Sequence, residues 1–548
     1  MPRLVLGPLL RYVDETTAAV WVETDAPCEV GVLDAAARTF TVHGHHYGLV
    51  EIEGLAPGSV TPYTVLLDGE QVWPEPDSPF PPPRIRTLDP EGPLRLVFGS
   101  CRRSAPHDEL HNRVFGVDAM RAYASRLAAA SREGPAEEWP DALLLLGDQV
   151  YADSPSAEVR AFLAARRDLD VPPGAEVADF AEYAYLYRQA WSEPVSRWLL
   201  STVQTAMIFD DHDIRDDWNT SHAWRQRMGQ LPWWRDRIVA GLGSYWIYQH
   251  LGNLSPAERA ADPVLADVRE AAGDAGPVLD EFARTVDAEP ESYRWSYGRD
   301  FAGSRLIALD TRCGRVLQPG RRDILDPPEW AWFDRLAKGG RDHLFVATSL
   351  PYLLPASVHH LERWNEAVCD GRWGRRAAAA AERLRQAIDL EHWSAFQRSF
   401  DAMARVAAEV AAGRRGTAPR SVLFLSGDVH YSYFAGVTST DEGASPRGMS
   451  PICQAVCSPV RNPLDRSLRW ASRLSSTRAG ALVGRALCRI AGTLASPLDW
   501  RIERGPWFHN CLLTLEVDGR SCSLHWEAAD LDGTGDPALH RVDTVRLR

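Results

Sequence analysis

Four consecutive polar residues follow a short apolar run near the middle of the chain. The run 205–208 is followed, after one phenylalanine, by Asp210, Asp211, His212 and Asp213. Three carboxylates in so small a space repel one another unless a cation neutralises them. A solvated turn is the simplest alternative, but a turn rarely requires an apolar, strand-like run in front of it. The pattern therefore predicts a cation site to which other parts of the chain contribute.

Further side chains of the metal-ligating types follow other apolar runs. Asp148 and Tyr151 form a Gly-Asp-x-x-Tyr pattern, Asp428 and His430 form Gly-Asp-Val-His, and Cys101 follows another run. Carboxylate, imidazole, phenolate and thiolate together make a ligand set of mixed hardness. Two residues apart on an extended segment, Asp428 and His430 can point the same way. Two cations about 3.5–4 Å apart are the usual device for cleaving phosphoesters, so the pattern predicts that chemistry.

Each of these residues has an ordinary explanation when it is taken alone. A Gly-Asp pair is a common turn, a lone cysteine is usually a small buried hydrophobe, and a single tyrosine or histidine usually packs. These residues recur, however, at the ends of successive strand-like runs. Coincidence does not explain that placement well, so it favours a shared site.

Short apolar runs alternate with helical stretches from residue 94 onward. Runs that end at polar clusters occupy 94–98, 142–146, 205–208, 306–309, 344–347 and 422–425. Fully apolar strands separated by helices indicate a buried α/β sheet. In such a sheet the chemistry gathers at the carboxyl ends of the strands. The sequence therefore predicts one site that is assembled from several strand ends.

The chain divides into three parts by composition. Residues 1–73 contain β-branched and aromatic runs and an Asp68-Gly69 hairpin signal, without a helical pattern. We predict an immunoglobulin- or fibronectin-like β-sandwich there, with a β-subdomain of the main fold as the alternative. The dense prolines of 74–93 predict a stiff linker, and 94–548 is the predicted catalytic domain.

Charge and cysteine usage narrow the functional classes. The net charge of −14 over 548 residues argues against a nucleic-acid-binding surface, because phosphate backbones select for basic proteins. Nine cysteines at irregular spacing form neither a disulfide framework nor a metal ribbon. The sequence after Met1 shows no secretory signal or twin-arginine motif. These observations predict a cytoplasmic location.

Two stretches allow more than one interpretation. Residues 464–498 combine six arginines with aliphatic residues, and Arg485 and Arg489 lie four apart. An amphipathic helix packed on the domain is favoured, and weak contact with an anionic membrane surface is the alternative. The tryptophan-rich stretch 218–246 is either a lid beside the site or an ordinary packed insertion.

The motifs taken together resemble those of the alkaline phosphatase D (PhoD-like) family of calcineurin-like metallophosphoesterases. The resemblance extends over nearly the whole chain and rests on Ser100-Cys101-Arg102, Gly147-Asp148-Gln149-Val150-Tyr151, the tetrad 210–213, Gly427-Asp428-Val429-His430, Asp310-Thr311-Arg312 and 456–462. It implies an α/β (α+β) fold in which two packed sheets are flanked by helices, a four-layer sandwich. It also implies metal-dependent hydrolysis of phosphate esters, with a small phosphoester as substrate.

Members of this family bind a ferric ion and calcium. The ligands that the resemblance implies are Cys101, Asp148, Tyr151 and His430 for Fe³⁺, and Asp148, Asp211 and Asp428 for Ca²⁺. Oxygen ligands suit calcium, but Mn²⁺ or Mg²⁺ is the alternative at the second position, because calcium is scarce in the cytoplasm. Asp210 and Asp213 are expected to support their neighbours.

The implied mechanism is attack on phosphorus by a metal-bound hydroxide. His212 is the expected group that protonates the leaving oxygen or orients the phosphate, and Arg102 and Arg103 are expected phosphate contacts. Monoesters and diesters both remain open as substrates. One alternative is a phosphodiesterase acting on phospholipid or nucleotide diesters at a membrane surface. Another is a binding or sensory protein with a vestigial metal site, against which the complete ligand set argues.

Overall fold

A computed structural model describes most of the chain. The described residues are 1–133, 139–440, 448–465, 469, 472–473, 478–493 and 496–547. Parts of the stretch 464–498, for which an amphipathic helix is predicted, therefore lie outside the described residues.

The first ten strands build an N-terminal β-region. They are β1 (Leu4–Val13), β2 (Ala18–Thr24), β3 (Glu29–Val32), β4 (Ala35–Arg38), β5 (Phe40–Val42), β6 (His45–Ile52), β7 (Val60–Pro62), β8 (Val65–Leu67), β9 (Glu70–Trp73) and β10 (Arg84–Arg86). One four-stranded sheet has the order β1-β2-β6-β5 and the other has the order β4-β3-β8-β9. Val20, Val22, Val30 and Val32 belong to the small core of this region.

The outer face of the β1-β2-β6-β5 sheet packs against the rest of the chain. Trp21 alternates with Val20 and Val22 along β2, so its side chain points to the opposite face. It belongs to the core of the large domain, not to that of the β-region. The buried Arg11 donates to the carbonyl of Gln249 at 2.6 Å. The β-region is therefore joined to the large domain through a buried face.

The proline-rich segment 74–93 touches both units. It contains β10, which pairs antiparallel with β7 so that Ile85 lies opposite Thr61. The indole of Trp198 donates to the carbonyl of Pro81 at 2.8 Å. The segment therefore runs along the surface of both units instead of crossing open solvent.

The remaining strands form two large sheets and a short ribbon. They are β11 (Leu94–Gly99), β12 (Ala142–Leu146), β13 (Thr205–Ile208), β14 (Tyr297–Phe301), β15 (Ser304–Leu309), β16 (Val316–Gln318), β17 (Arg321–Asp323), β18 (His343–Thr348), β19 (Ser421–Ser426), β20 (Ser432–Thr440), β21 (Ile452–Val456), β22 (Leu498–Trp507), β23 (Cys511–Asp518), β24 (Ser521–Leu531) and β25 (Pro537–Leu547). The first large sheet has the order β13-β12-β11-β23-β24-β25, and the second has the order β14-β15-β18-β19-β21-β20-β22. Strands β11, β12 and β13 pair in parallel, as do β15, β18, β19 and β21.

Helices connect and cover these strands. In the described residues they are α1 (Glu109–Phe115), α2 (Ala119–Glu133), α3 (Ala157–Arg166), α4 (Phe180–Trp191), α5 (Pro194–Thr202), α6 (His222–Gly229), α7 (Trp234–Tyr245), α8 (Pro256–Ala261), α9 (Pro263–Glu270), α10 (Gly276–Ala288), α11 (Pro327–Leu336), α12 (Ala356–Cys369), α13 (Arg375–Ala387), α14 (Gln397–Ala411) and α15 (Arg478–Ile490). Helix α2 contacts the first large sheet through β23, β24 and β25, and α14 contacts the second through β19 and β21.

The two large sheets pack face to face. Along β19, Leu423 and Leu425 belong to the core shared with the first sheet, whereas Val422 and Phe424 belong to the core on the other side. This alternation follows from the two-residue period of a strand that is buried on both faces. With helices outside each sheet, the order of layers is helix, sheet, sheet, helix.

The tryptophan-rich insertion is closely packed. Trp218 and Trp224 are 1 % exposed and Trp246 is fully buried. The rings of Trp224 and Trp234 meet edge to face with their centroids 5.3 Å apart. Of the two interpretations of this stretch, the structure supports the packed insertion.

Helix α15 is the described helical part of the arginine-rich stretch. It packs on α12, where the thiol of Cys488 donates to the carbonyl of His360 at 3.1 Å. Leu482, Val483 and Ile490 on α15 are 65 %, 64 % and 70 % exposed. Among the described residues, none of the helices combines the length and the apolar character needed to cross a bilayer.

Candidate metal centre

The ligands predicted from the sequence converge at the carboxyl ends of the two large sheets. The first sheet contributes Cys101 after β11, Asp148 and Tyr151 after β12, and Asp211 with His212 after β13, and the second contributes Asp428 and His430 after β19. The carboxyl ends of parallel strands lie at one edge of a sheet, and here two such edges face each other.

Three groups of these side chains are close enough to hold metal ions. Within each group the ligand atoms lie within 4.8 Å of one another, and the groups are Cys101 with Asp148 and His430, Asp148 with Asp211 and His212, and Asp210 with Asp211 and Asp428. Asp148 and Asp211 each belong to two groups. A carboxylate shared between adjacent groups can bridge two cations.

Four of the predicted ligands have an uncommon backbone conformation. The φ angles of Cys101, Asp148, Asp428 and His430 are 58°, 51°, 65° and 57°. This left-handed conformation costs a residue other than glycine about 1–2 kcal/mol. Such strain persists only where the surrounding structure enforces it, and it concentrates at functional sites. The strand ends are therefore bent in a way that brings these side chains together.

Two glycines allow the strand ends to approach each other. A Cβ atom on Gly427 would clash with Oγ of Ser100, which accepts a hydrogen bond from the N–H of Asp428 at 3.0 Å. Gly147 has a φ of 95°, and a Cβ there would lie 2.7 Å from Cβ of Asp210. The Gly-Asp pairs in the sequence thus reflect close packing of strand ends.

Asp210 and Asp213 hold the tetrad and the neighbouring loop in place. The tetrad folds into a single 3₁₀ turn, in which Asp210 accepts from the N–H of Asp211 at 3.0 Å. Asp213 accepts from the N–H groups of Asp210 at 2.9 Å, of Asp148 at 3.2 Å and of Val150 at 3.2 Å. Asp213 therefore fixes the loop that carries Asp148.

Several acidic side chains of the site ionise less readily than usual. Burial and neighbouring carboxylates raise the pKa of Asp148 well above its ordinary value. The same two causes raise the pKa of the Cys101 thiol and of the Tyr151 phenol. Within the described residues, Oδ1 of Asp148 and Oδ2 of Asp210 are buried without a hydrogen-bond partner. A metal ion would satisfy these oxygens and favour the ionised forms, so the donor set fits metal ions.

His212 is paired with Asp153, which the sequence analysis did not single out. Nδ1 of His212 lies 2.8 Å from Oδ2 of Asp153, and the imidazole lies 4.6 Å from the ring of Tyr151. Burial alone lowers the pKa of His212, but the carboxylates of Asp153 and Asp211 raise it well above its ordinary value. These carboxylates therefore favour the protonated form of the ring, which is the form that a proton donor requires.

Asp428 is contacted by a histidine that the sequence analysis also missed. Nε2 of His392 lies 3.1 Å from Oδ2 of Asp428, and Nδ1 lies 2.7 Å from Oε1 of Glu362. Glu362 is fully buried in α12. Neither His392 nor Glu362 follows an apolar strand, so the pattern of polar strand ends had no means of finding them.

Arg312 is a buried cation beside the tetrad. It forms an ion pair with Asp210 and lies 3.4 Å from Asp211 and 2.6 Å from Glu391. Although burial raises the pKa of Glu391, Arg312 and Arg315 together lower it to about 2. Arg312 therefore neutralises part of the negative charge on one side of the site.

We expect the substitution Arg312→Met to lower the free energy of unfolding by about 3–5 kcal/mol, because it leaves Asp210 buried without its cation and Glu391 with Arg315 only. Urea denaturation measures this change. Arg501→Met is the matched control, because Arg501 is 71 % exposed in its pair with Glu503, and we expect less than about 1 kcal/mol there. Equal changes in Arg312→Met and Arg501→Met would contradict a structural role for Arg312.

The two arginines predicted to contact phosphate lie in different surroundings. Arg102 is buried, and its guanidinium donates to Asp118 at 3.0 Å and to the carbonyl of Ala190 at 2.7 Å. This placement does not fit the predicted contact with phosphate, because the donors of Arg102 are engaged in the protein interior. Arg103 is half-buried and lies 5.3 Å from the ring centre of Tyr151. Arg103 is thus the one of the two that borders the predicted ligands.

Comparison with known proteins bears on both the sequence and the fold. Residues 119–264 match the family model of the PhoD-like phosphatases, a segment that contains Asp148, Tyr151, Asp211 and His212. The chain resembles the PhoD-like phosphatases. A solved structure described as "Structure of PhoD" aligns with a TM-score of 0.59 and 13 % identity, covering 99 % of this chain and 90 % of that chain. Residues 1–85 match a domain of unknown function (DUF7800). No curated protein matches the chain.

The PhoD comparison confirms the family resemblance and the α/β fold predicted from the sequence. At 13 % identity the structural likeness concerns the fold alone. Cys101, Asp428 and His430 lie outside the segment that matches the PhoD-like family model. For these three residues the assignment as ligands depends on the geometry of this chain.

Proposed function

We propose that the chain is a metal-dependent hydrolase of phosphate esters, acting on monoesters or diesters. The observation that carries the proposal is the convergence of three potential metal-binding groups that share Asp148 and Asp211. They lie at the strand ends of a fold that this chain shares with PhoD, and the PhoD-like match over 119–264 supports the same function.

The donor types suggest which ions the centre takes. The proposed ligands are Cys101, Asp148, Tyr151 and His430 for Fe³⁺, and Asp148, Asp211 and Asp428 for a second, divalent cation such as Ca²⁺, Mn²⁺ or Mg²⁺. Thiolate, phenolate and imidazole suit iron, whereas carboxylates suit the hard divalent ions. When bound, such ions supply an activated water molecule and withdraw charge from the phosphoryl oxygens.

The protein's own residues supply proton transfer and orientation. His212, held by Asp153 at 2.8 Å, donates a proton to the leaving oxygen of the ester. Arg103 binds a non-bridging phosphoryl oxygen, because a guanidinium offers several donors to such groups. Asn462 donates to the phenolic oxygen of Tyr151 at 2.9 Å and so holds that ligand in place.

Metal analysis combined with a visible spectrum tests the proposal. We expect protein-bound iron, a tyrosinate-to-iron charge-transfer band and hydrolysis of p-nitrophenyl phosphate or its bis ester. In Tyr151→Phe the band should disappear, because the phenolate is its source. Tyr185→Phe, which alters a tyrosine of helix α4 stacked on Phe162, should keep it. Colourless, metal-free protein without hydrolase activity would instead support the binding or sensory alternative.

A phospholipid diester at an anionic membrane is the second proposed substrate. Its support is the exposure of Leu482, Val483 and Ile490 on α15, the helix that also carries Arg485 and Arg489. Exposed aliphatic residues combined with arginines are typical of helices that lie on anionic lipid.

We expect the joint substitution of Leu482, Val483 and Ile490 by serine to reduce co-sedimentation with phosphatidylserine-containing vesicles by about tenfold or more, since each buried aliphatic side chain contributes about 1.5–3 kcal/mol. Leu531→Ser, at another exposed leucine, is the control. Equal vesicle binding by the triple variant and by Leu531→Ser would contradict the membrane proposal.

A further inference from the structure

We propose that Gln249 is a positioning residue of the metal centre and that Arg11 of the N-terminal β-region holds Gln249 in place. The two residues form a relay, in which Arg11 fixes the main chain of Gln249 and the side chain of Gln249 fixes Asp213. Asp213 in turn holds the loop that carries Asp148. The proposal rests on the proposed function only in treating Asp148 as a metal ligand. It gives a task to residues 1–85, which match a domain of unknown function.

The link closest to the proposed ligands is the hydrogen bond from Gln249 to Asp213. Nε2 of Gln249 donates to Oδ1 of Asp213 at 3.1 Å. The same oxygen accepts the N–H of Val150 at 3.2 Å, and the other oxygen accepts the N–H of Asp148 at 3.2 Å. Both Gln249 and Asp213 are buried, so a donor that is lost there leaves the carboxylate without a replacement. Gln249 therefore sets the orientation of the carboxylate that holds the Asp148 loop.

Gln249 lies in an uncommon turn of the main chain. The segment Trp246–His250 follows helix α7 directly and forms a single π-helical turn. Turns of this kind are rare, and they are frequently found at functional sites. In this turn the side chain of Gln249 reaches Asp213 while its carbonyl accepts a hydrogen bond from Arg11.

Arg11 of strand β1 is the residue that holds this turn from the N-terminal β-region. The guanidinium is fully buried and donates to the carbonyl of Tyr248 and, at 2.6 Å, to that of Gln249. The planar fork of donors allows one arginine to bind several carbonyls at once. A Cβ atom on Gly252 would lie 2.5 Å from Cζ of Arg11. The glycine thus leaves the space that the guanidinium occupies.

Arg11 also supports the strand that leads to the tetrad. Strand β13 is the outermost described strand of the first large sheet. On its free edge the carbonyl of Thr205 accepts from Arg11 at 3.2 Å. The side chain of Asn253 pairs with the N–H of Met207 at 2.9 Å and with its carbonyl at 2.6 Å. Buried edge groups need such partners, so Arg11 holds both the turn with Gln249 and the edge of β13.

The competing explanation is that Arg11 and Gln249 only stabilise the fold, as buried polar groups generally do when they are paired. Removing a purely stabilising group lowers the free energy of unfolding but leaves the metal affinity of the folded protein unchanged. Removing a positioning group loosens the Asp148 loop in particular and weakens metal binding. The two explanations therefore differ in measurements that need no enzymatic activity.

Hydrogen–deuterium exchange of the full-length, metal-free chain tests the relay at the loop 147–151. We expect this loop to exchange about tenfold faster in Gln249→Met, because Asp213 loses a donor that orients it toward the N–H groups of the loop. Methionine resembles glutamine in length but has no N–H donor. Gln454→Met is the matched control, since Gln454 is also fully buried and donates to the carbonyl of Leu353. It should leave the exchange of 147–151 unchanged.

Variants of Arg11 test the part of the relay that lies in the N-terminal β-region. Arg11→Met should also speed the exchange of 147–151. Arg11→Lys keeps a charged donor but not the planar fork, so its exchange should lie between those of Arg11→Met and the wild type. Tyr63→Phe is the control, because it removes another hydrogen bond between the two units, from the phenol of Tyr63 to the carbonyl of Ser201. It should leave the exchange of 147–151 unchanged.

Binding of Mn²⁺ to the metal-free, full-length chain is the second measurement. The affinity should fall by about tenfold in Gln249→Met, the lower end of the effect of removing a group that orients a ligand. It should be unchanged in Gln454→Met. Near-ultraviolet circular dichroism checks that each variant is folded, and Gln249→Met and Arg11→Lys keep the test decisive if Arg11→Met does not fold.

The inference is overturned if Gln249→Met exchanges the loop 147–151 at the wild-type rate, or if it binds Mn²⁺ as tightly as the wild type. Faster exchange confined to this loop, in a protein that binds no Mn²⁺ and hydrolyses no phosphoester, would refute the proposed function and leave the relay standing. Hydrolysis by the wild type, together with unchanged exchange in Gln249→Met, would refute the relay and leave the proposed function standing.

Discussion

Replacing Asp148 by asparagine should reduce kcat/KM for p-nitrophenyl phosphate by about 1,000-fold or more and lower the metal content. Asp148 is the carboxylate shared by the group with Cys101 and His430 and by the group with Asp211 and His212. The amide has nearly the same shape but carries no charge, so it would weaken the binding of the proposed cations while leaving the packing intact. Steady-state kinetics and metal analysis of the same preparation check both effects.

The same substitution should raise the stability of the metal-free protein. Burial and neighbouring carboxylates raise the pKa of Asp148 in the folded state. At neutral pH the unfolded chain therefore holds this group ionised more readily than the folded chain does, and folding without metal is penalised. Asparagine removes that penalty. A melting temperature that falls in the metal-free variant would contradict this account, and Asp34→Asn, at an exposed turn, should leave activity and stability unchanged.

Replacing His212 by alanine should lower turnover by about a hundredfold or more while the metal content stays intact. The deficit should be larger for alkyl phosphates than for p-nitrophenyl phosphate, because a poor leaving group depends more on proton donation. Comparing kcat for both substrates with metal analysis measures this. An equal loss for the two substrates would mean that His212 orients the phosphate and does not protonate the leaving oxygen, and unchanged turnover would exclude both roles.

The substitution Asp153→Asn tests the role of His212 without removing its imidazole. Asp153 is the foremost of the groups that raise the pKa of His212, so its loss should lower that pKa. A proton donor must be protonated to act, and activity falls as the pH rises through its pKa. The alkaline limb of the pH–rate profile should therefore move to lower pH in Asp153→Asn. If the alkaline limb lies at the same pH in Asp153→Asn as in the wild type, a group other than His212 is responsible for that limb.

Much of this centre could be predicted from local sequence patterns. Apolar runs such as 142–146 and 422–425 predict buried parallel strands, because only apolar residues suit a strand covered on both faces. The rule that chemistry gathers at the carboxyl ends of such strands then selects Asp148 and Asp428. The structure places them in two neighbouring groups that share Asp211. Residues that follow a strand directly have positions set by the strand itself, which is why a linear pattern can find them.

The direction of a side chain after a turn, and contacts between distant segments, depend on the tertiary structure alone. Arg102 and Arg103 are neighbours in sequence, yet Arg102 pairs with the buried Asp118 while Arg103 borders Tyr151. His392 contacts Asp428 through one ring nitrogen and Glu362 of a separate helix through the other. The sequence by itself thus determined which strand ends carry the chemistry. The packing of the two sheets and their connecting segments decided which charges are neutralised inside the protein and which face the site. The reason is that burial and charge pairing arise between residues far apart in the chain.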